Sequence, residues 1–475
     1  MTPTPTPWSG APQMTIDNPT GPAGIADLSP LSRRKEQRAW YWYDWANSAY
    51  VTTTAAVLFS PYLTSVAEVA ACGEAGTPEN PCTTHLSVLG LGISPGSLVF
   101  YIVTVATILS ALVLPVVGAA ADRSARKKNM MGGFAWAGSL SAGLMFFVAG
   151  SNWQLGAVLL LVATLCLGAS LVVYDAILCE IATPDERDRV SSRGWALGYL
   201  GGGLLLALNF GLLTVMADDT GLAVRICLLS AGLWWAAFTL IPFLGVRNRE
   251  PRNVVPEPGS LVRQSFGQLW QTLRDLRSYP VTLTFLVAYL FYNDGIQTVI
   301  FASSVYGEKQ LGFEKATVLQ AFLVVQFVGI LGALLFGKVA ERVGSRKVIL
   351  GGLLVWMLVV VAAYFTPERT FVLFLVLAVG IGLVLGGTQA LSRSFFSLLI
   401  PRGREAEYFS LYQACERGTS WLGTLVFGLV HQVTDSYRPA IFALILFFVV
   451  GFLLLARVDP ERGIREAGNT PPVVV

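Results

Sequence analysis

The chain has 475 residues, of which 54% are hydrophobic and 13% charged, with a formal net charge of +3. Soluble domains carry about 25% charged residues, and the apolar residues here come in runs of about 20 or more, the length that a bilayer-spanning helix needs. A single soluble core is therefore excluded, and so is a nucleic-acid-binding role, because the basic residues form only short clusters between apolar runs.

The six cysteines and two histidines show no spacing typical of a zinc site, so we expect neither a metal nor a cofactor. Cys72 and Cys82 share one polar loop and could form a disulfide if that loop faces an oxidising compartment. The alternative of two free thiols stays open. The other cysteines stand singly in apolar runs, as small buried side chains do.

Residues 1–39 begin with a Thr-, Pro- and Gly-rich stretch and are predicted to form a disordered N-terminal tail. Twelve apolar runs follow, and each is predicted to be a transmembrane helix. Their limits are 41–66, 96–120, 130–150, 154–178, 194–216, 222–245, 280–304, 316–338, 347–365, 371–393, 406–431 and 438–456. The fold class is thus an all-α membrane protein with twelve helices in two six-helix bundles.

The basic residues between these runs predict the orientation in the membrane. With the N-terminus in the cytoplasm, 26 of the 33 lysines and arginines fall in cytoplasmic segments and 5 fall outside. This asymmetry follows the positive-inside rule and places both termini in the cytoplasm, in a protein of the cell (plasma) membrane. A wrong number of helices would not give this alternation of basic-rich and basic-poor segments between successive apolar runs.

A long polar segment, 246–279, divides the chain into bundles at 40–245 and 280–457, with a C-terminal tail at 458–475. Apolar residues recur within this segment at steps of three or four, which predicts an amphipathic helix lying on the cytoplasmic membrane surface. The alternative is a plain solvated connector. The apolar residues are Val262, Phe266, Leu269, Leu273 and Leu276.

The two halves contain an internal repeat. Gly118-Ala-Ala-Ala-Asp122-Arg123-Ser-Ala-Arg-Lys127-Lys128 follows the second run, and Gly337-Lys-Val-Ala-Glu341-Arg342-Val-Gly-Ser-Arg346-Lys347 follows the eighth, at a constant offset of 219. The glycine allows two helices to approach, the acid can cap a helix or pair with an arginine, and the basic residues suit an anionic leaflet. Parallel repeats of six helices are typical of transporters whose two bundles rock about a central cavity.

This repeated loop resembles the signature loop of the major facilitator superfamily, and the resemblance covers all twelve runs; Ala125 replaces the usual glycine in the first copy. The resemblance implies a conformational latch through charge pairs between helix ends. We expect this role for the matching residues, which are Gly118, Asp122, Arg123, Lys127, Gly337, Glu341, Arg342 and Arg346.

Three further motifs resemble one branch of that superfamily, the fungal autophagy-related vacuolar amino-acid effluxers and their bacterial relatives. They are Tyr43-Asp-Trp-Ala-Asn-Ser-Ala-Tyr50, Ser191-Ser-Arg-Gly-Trp-Ala-Leu-Gly-Tyr-Leu-Gly-Gly-Gly203 and Gln389-Ala-Leu-Ser-Arg-Ser394. The resemblance implies export of small solutes, amino acids in the fungal case. For Tyr199 and the glycines 201–203 of the second motif we favour a packing role.

Polar residues in the first, fourth, seventh, tenth and eleventh runs are the candidate substrate or proton pathway, because charged groups inside a membrane are costly and commonly functional. We expect Asp294 and Glu416 to couple protons, and Arg393 and Arg417 to attract a substrate carboxylate or phosphate. The alternative is that these groups pair with one another and only hold helices together. We favour such a structural role for Asp175 and Glu180, which would close the cytoplasmic side. The candidates are Asp44, Asn47, Tyr50, Tyr174, Asp175, Asn293, Asp294, Gln297, Gln389, Arg393, Glu416 and Arg417.

The sequence thus predicts a secondary-active transporter using alternating access. Its expected partners are a small-molecule substrate, a coupling ion (a proton) and the lipid bilayer, with no nucleic acid, and we expect a monomer. A phosphate-binding Gly-x-x-x-x-Gly-Lys-Ser/Thr loop is missing from the sequence, and no nucleophile–base pair marks an enzyme. A non-transporting membrane receptor or scaffold, and a lipid-translocating protein, are the alternatives.

Overall fold

The structure is a computed structural model, and it describes residues 29–76, 82–88, 90–251, 274–418, 420–434 and 436–474. Most of the predicted amphipathic helix of segment 246–279 lies outside these residues. The described part is built from helices, with one small hairpin whose strands are β1 (Leu86–Val88) and β2 (Leu91–Ile93). The prediction of an all-α chain therefore holds apart from these six residues.

The helices follow the predicted order along the chain. We number them α1 (Pro30–Cys72), α2 (Pro95–Asp122), α3 (Lys127–Phe147), α4 (Trp153–Ile181), α5 (Pro184–Val215), α6 (Ala217–Gly245), α7 (Pro280–Gln310), α8 (Lys315–Val343), α9 (Ser345–Phe365), α10 (Phe371–Leu398), α11 (Glu405–Gly418 and Ser420–Thr434), α12 (Tyr437–Ala456) and α13 (Pro460–Glu466).

Within the described residues, eleven helices are long and apolar enough to cross a membrane, and the second α11 segment adds a shorter apolar helix, Leu422–Thr434. The predicted twelve-helix arrangement therefore agrees with the structure. α1 begins ten residues before the predicted end of the disordered tail, because Ser29 accepts the Ser32 N–H and Pro30 starts the first turn. α1 also contains a π-helical stretch, Tyr50–Leu58.

The two halves, α1–α6 and α7–α12, meet through helices that the internal repeat relates. α2 packs against α11, and α8 packs against α5, the matching pair. At the first contact a Cβ on Gly118 would lie 2.5 Å from the Ala406 carbonyl oxygen, and at the second a Cβ on Gly337 would overlap the side chain of Ser192. The repeated glycine is thus required where the two halves approach each other.

Within the first half, α1 and α5 run side by side along a row of glycines in α5. A Cβ on Gly198 would lie 2.7 Å from Ser48 Oγ, and a Cβ on Gly202 would lie 2.6 Å from Thr52 Oγ1. Such distances are too short for a side chain, so α5 can hold only glycine at these positions. The predicted packing role of the glycine motif is confirmed.

We call the end of the bundle at which α2, α4, α8 and α10 finish the basic end, because the predicted cytoplasmic basic clusters lie there. The C-terminal segment also lies at this end. Asn469 donates from its amide to the carbonyl oxygens of Leu398 (2.9 Å) and Ile400 (2.7 Å), and the Val473 N–H is donated to Asp185 at 2.7 Å. The C-terminal segment therefore contacts both halves of the protein. Part of it has a defined structure, where the sequence predicted only a tail.

The connection between α1 and α2 lies at the opposite end of the bundle. Cys72, the last residue of α1, is joined by a disulfide to Cys82, which precedes the β1–β2 hairpin. The Glu68 carboxylate accepts the Gly76 N–H at 3.1 Å in the same connection. The remaining four cysteines all lie within helices and form no disulfide.

Candidate functional site

A cavity of about 320 Å³ lies between the two halves of the protein. It extends from the ion pairs near the basic end to Tyr306 and Phe374, which lie toward the opposite end of α7 and α10. Seven of the predicted pathway residues line it: Asp44, Asn47, Asp175, Gln297, Gln389, Arg393 and Glu416. The Arg417 side chain lies outside the described part of the structure.

Arg393 of α10 joins three helices from both halves at the floor of the cavity. Its guanidinium contacts Asp44 of α1 through two nitrogen–oxygen pairs, at 3.0 and 3.4 Å, and Asp175 of α4 at 3.4 Å. All three residues are at least 94% buried. We call these three residues the ion cluster; two acids and one base give it a formal charge of −1 when all are ionised.

The guanidinium of Arg393 has no spare donor in this arrangement. Besides its bonds to the two acids, its Nε donates to Ser191 Oγ at 2.9 Å and Nη2 donates to the Ser191 carbonyl at 3.2 Å. These contacts account for all five N–H groups of an arginine. The predicted role of Arg393 as a receptor for a substrate anion is therefore not available to it in this conformation.

Aromatic rings enclose the ion cluster. The Arg393 guanidinium carbon lies 4.9 Å from the Trp40 ring centroid, 5.4 Å from that of Tyr174 and 5.5 Å from that of Trp195. Trp40 stacks on Tyr174, and the Tyr174 hydroxyl donates to Asp44 at 2.8 Å. These rings favour the cation and keep it away from the membrane lipid.

Gly194 lets α5 pass directly beside the ion cluster. A Cβ at this position would overlap the Asp44 carboxylate and would lie 3.2 Å from Arg393 Nη2. On the other side, Gln413 of α11 donates its amide to Asp175 at 2.9 Å. The ion cluster is thus held by five helices, three from the first half and two from the second.

The predicted polar residues of α7 and α10 bond to each other at the cavity wall. Gln389 donates its amide to the Asn293 side-chain oxygen at 3.0 Å, and Asn293 in turn donates to the Glu416 backbone carbonyl at 3.1 Å. Asn293 is completely buried, so its role here is to connect α7, α10 and α11. Gln297, one turn further along α7, lines the cavity.

Asp294 points away from the cavity, toward the second α11 segment. Its Oδ2 accepts the Gly423 N–H at 2.7 Å, while its Oδ1 has no partner among the described residues. Asn293 and Gln297 are four residues apart and share a helical face, whereas Asp294 lies on the neighbouring face. Tyr50 likewise does not line the cavity but stacks on Trp235, with 5.1 Å between ring centroids.

The first copy of the repeated loop connects the two halves at the basic end. The Asp122 carboxylate accepts the backbone N–H groups of Ala406 at 3.0 Å and Glu407 at 2.9 Å, in the first turn of α11. Lys127 contacts Asp122 at 3.2 Å and Glu180 at 2.8 Å. Arg123 follows Asp122 at the end of α2. This geometry is that of a latch that caps the helix of the other half.

The second copy differs in its polar contacts. Glu341 and Arg342 are exposed, and neither makes a hydrogen bond or ion pair with another described residue. Arg346 instead donates to the backbone carbonyls of Leu455 and Ala456 at the end of α12, within its own half. The structure thus keeps the glycine contact in both copies but places the acid-mediated latch in the first copy only.

At the second copy of the repeated loop, the two halves are joined by Asp188 of α5. Our sequence predictions did not include this residue. Its carboxylate accepts from the hydroxyls of Ser345 and Ser394, both at 2.6 Å. Ser191 was also missed, although it begins one of the quoted motifs; it donates to the Ala390 carbonyl at 2.7 Å. Because Ala390 and Ser394 belong to the Gln389–Ser394 motif, the signal that could have found these contacts was the pairing of two motifs.

The fold and the cavity define the class of the protein. Two repeat-related six-helix bundles around a central cavity form the major facilitator fold, and solved structures with this fold superimpose on the chain. The proton:xylose symporter XylE gives a TM-score of 0.67 over 91% of this chain and 97% of its own, at 10% sequence identity. FucP in the outward conformation gives 0.63 over 90% and 99%, at 11% identity. The chain therefore has the fold of the major facilitator transporters.

Comparisons of the sequence place it more closely. The model of the family described as vacuole effluxer Atg22 like matches residues 32–468, so the chain belongs to that family. An uncharacterised MFS-type transporter of Bacillus subtilis, YxiO, is 31% identical over 90% of this chain and 95% of its own length. Autophagy-related protein 22-1 of Neosartorya fischeri is 25% identical over 93% of this chain and 92% of its own. The family resemblance predicted from the sequence is confirmed.

Proposed function

We propose that this protein exports a small polar solute of the amino-acid class across the cell membrane by alternating access, driven by a proton gradient. The observation that carries the proposal is the cavity between two repeat-related halves that hydrogen bonds join at one end. The bonds between the halves described so far all lie at the basic end. A further bond between the halves lies away from it, where Gln326 of α8 donates to Thr52 Oγ1 at 2.9 Å. Such a cavity opens to the other side when those bonds break.

The orientation follows from the charges in the loops. With the basic end in the cytoplasm, as the positive-inside rule predicts, this conformation is closed to the cytoplasm, and the cavity extends toward the outside. Both termini are then cytoplasmic. An exporter would load its solute after the ion cluster and the Asp122 latch separate, and it would release the solute in the conformation described here.

For proton coupling we keep Asp294 and Glu416 as the candidates. Asp294 is completely buried, and a proton on its unpartnered oxygen would remove a net charge from the membrane interior. Glu416 lines the cavity and could exchange protons with the solute pathway. Asp44 and Asp175 are held by Arg393, and they support closure of the basic end.

The test is flux of labelled amino acids in proteoliposomes, with and without an imposed pH gradient. We expect gradient-dependent movement by the wild type and its loss in Asp294→Asn. Asp218→Asn is the matched control, because Asp218 is exposed in the first turn of α6 and should behave as wild type. Wild-type coupling in Asp294→Asn would exclude it as the proton site, and ligand binding without flux of any solute would favour a receptor.

A further inference from the structure

We propose that the transported solute carries a net positive charge, as an amino acid with a cationic side chain or a small organic amine does, that the acidic floor of the cavity recognises this charge, and that anionic solutes are excluded. This inference rests on the proposed function and names the chemical class of solute that the cavity takes. It follows from three observations. These are the charge balance of the described lining residues, the occupation of all five N–H groups of Arg393, and the open acceptor oxygens of Asn47 and Gln326.

Among the described residues that line the cavity, carboxylates outnumber cations. Asp44, Asp175 and Glu416 all line the cavity, and Arg393 is the one cationic side chain among the described residues that do so. The low dielectric of a membrane interior makes such an excess of negative charge a strong attraction for a cation and a barrier to an anion. The lining therefore discriminates by charge before any shape-specific contact forms.

Arg393 cannot reverse this preference in the present conformation. Its five N–H groups are used by Asp44, Asp175 and Ser191, and three aromatic rings surround its guanidinium. A solute carboxylate would have to displace one of these partners and leave a buried aspartate without its counter-ion, which is strongly unfavourable. The group that usually binds an anion is thus occupied.

Two amides of the cavity leave their side-chain oxygens open as acceptors. Asn47 donates its amide nitrogen to the Tyr43 carbonyl at 2.6 Å, and Gln326 donates to Thr52. No described residue donates to the side-chain oxygens of these two amides, so each can accept from a solute. An ammonium group has three N–H donors and no acceptor, which matches such a surface.

Aromatic side chains complete the match. Trp195, Tyr199 and Tyr412 line the cavity together with the acids, and the faces of such rings attract cations. The volume of about 320 Å³ accommodates a molecule of amino-acid size. An amino acid with a cationic side chain, or a small organic amine, satisfies the charge, the hydrogen bonds and the size at once.

The first test compares arginine with citrulline, which has a neutral urea group in place of the guanidinium. Thermal unfolding of the purified full-length chain is followed over a range of concentrations of each compound, and of lysine and glutamate. A ligand at free concentration L stabilises the folded state by RT ln(1 + L/Kd), so the dissociation constant can be obtained from the shift. We expect arginine and lysine to bind at least tenfold more tightly than citrulline, and glutamate to give no shift. Equal binding of arginine and citrulline, or tighter binding of glutamate, would overturn the inference.

The second test uses Glu416→Gln, because a change of Asp44 or Asp175 could disturb folding through Arg393. We expect about a tenfold loss of arginine affinity with little change for any residual citrulline binding. Glu368→Gln is the control, since Glu368 is exposed in the connection between α9 and α10 and should leave both affinities unchanged. An equal loss for the charged and the neutral compound in Glu416→Gln would contradict recognition by charge.

Flux measurements separate this inference from the proposed function. If proteoliposomes transport only neutral or anionic solutes, the transporter proposal stands and the cationic class is wrong. If arginine binds more tightly than citrulline but no solute crosses the membrane under any gradient, the cavity recognises cations, and the proposed transport is wrong.

Discussion

The Asp122 carboxylate at the end of α2 accepts the backbone N–H of Glu407 in the first turn of α11, at 2.9 Å. The cap and the helix that it caps belong to different halves of the protein. These bonds therefore exist only while the basic end is closed, and the free N–H groups of α11 must find other partners when the halves separate.

Replacement of Asp122 by Ala should shift the protein toward opening at the basic end. Two hydrogen bonds to a carboxylate are lost, each worth about 1.5–3 kcal/mol. Spin labels at Arg126 and Lys347, exposed positions of the two halves, should report a longer or broader distance distribution. Glu341→Ala changes the equivalent acid of the second repeat, which makes no described bond, and should leave the distribution unchanged. A matching change in both variants would refute the asymmetry.

The size limit at Gly194 gives a second prediction. Gly194→Ala places a methyl group against the Asp44 carboxylate and should destabilise the protein by about 1–3 kcal/mol, as overpacking commonly does. Gly211→Ala is the matched control in the same helix, because nothing lies within 4 Å of its Cβ position. Thermal unfolding in detergent should show a lower midpoint for the first variant only; an unchanged midpoint for Gly194→Ala would mean that α5 can move away from α1.

Asp294 has a structural role that can be measured separately from proton coupling. Asp294→Ala removes the acceptor of the Gly423 N–H and should cost about 1–3 kcal/mol of stability. Asp294→Asn keeps an oxygen that can accept this bond, so we expect it to unfold close to the wild-type temperature. If Asp294→Asn destabilised the protein as much as Asp294→Ala does, a loss of flux in Asp294→Asn could no longer be assigned to the loss of a protonatable group.

The C-terminal segment should contribute to stability at the basic end. Asn469→Ala removes two amide bonds to the carbonyls of Leu398 and Ile400, and we expect a loss of about 1–2 kcal/mol in unfolding free energy. Arg465→Ala removes only an exposed ion pair with Glu461 and should change the midpoint little. Equal midpoints for the two variants would show that the segment is not held by Asn469.

The helices and the repeat could be predicted because their signals are local. Apolar length and loop charge give the twelve helices, and the constant offset of 219 gives the glycine contacts at Gly118 and Gly337. The start of α1 at Pro30 was missed although Ser29 and Pro30 are a recognisable start signal, because the prediction placed the tail boundary by apolarity alone.

The partners of the polar residues could not be predicted, because they depend on how distant helices pack. Arg393 and Asp44 are separated by 349 residues, and no single-helix pattern shows that the acid saturates the arginine. Asp294 was favoured because it is a charged group inside an apolar run, but its place in the run does not indicate which face of α7 points to the cavity. The asymmetry between Asp122 and Glu341 is likewise invisible to a motif that both copies satisfy.

The disulfide between Cys72 and Cys82 allows the membrane topology of the natural chain to be determined without added labels. These cysteines lie at the end of the bundle opposite Asp122, and the other four cysteines lie within helices and form no disulfide. A disulfide forms and persists in an oxidising compartment, so two additional cysteines should react with an alkylating reagent only after reduction if this loop faces outward. The mass of the untagged, unmutated protein from native membranes should then differ by two adducts between samples alkylated with and without prior reduction, which would give the topology of the chain.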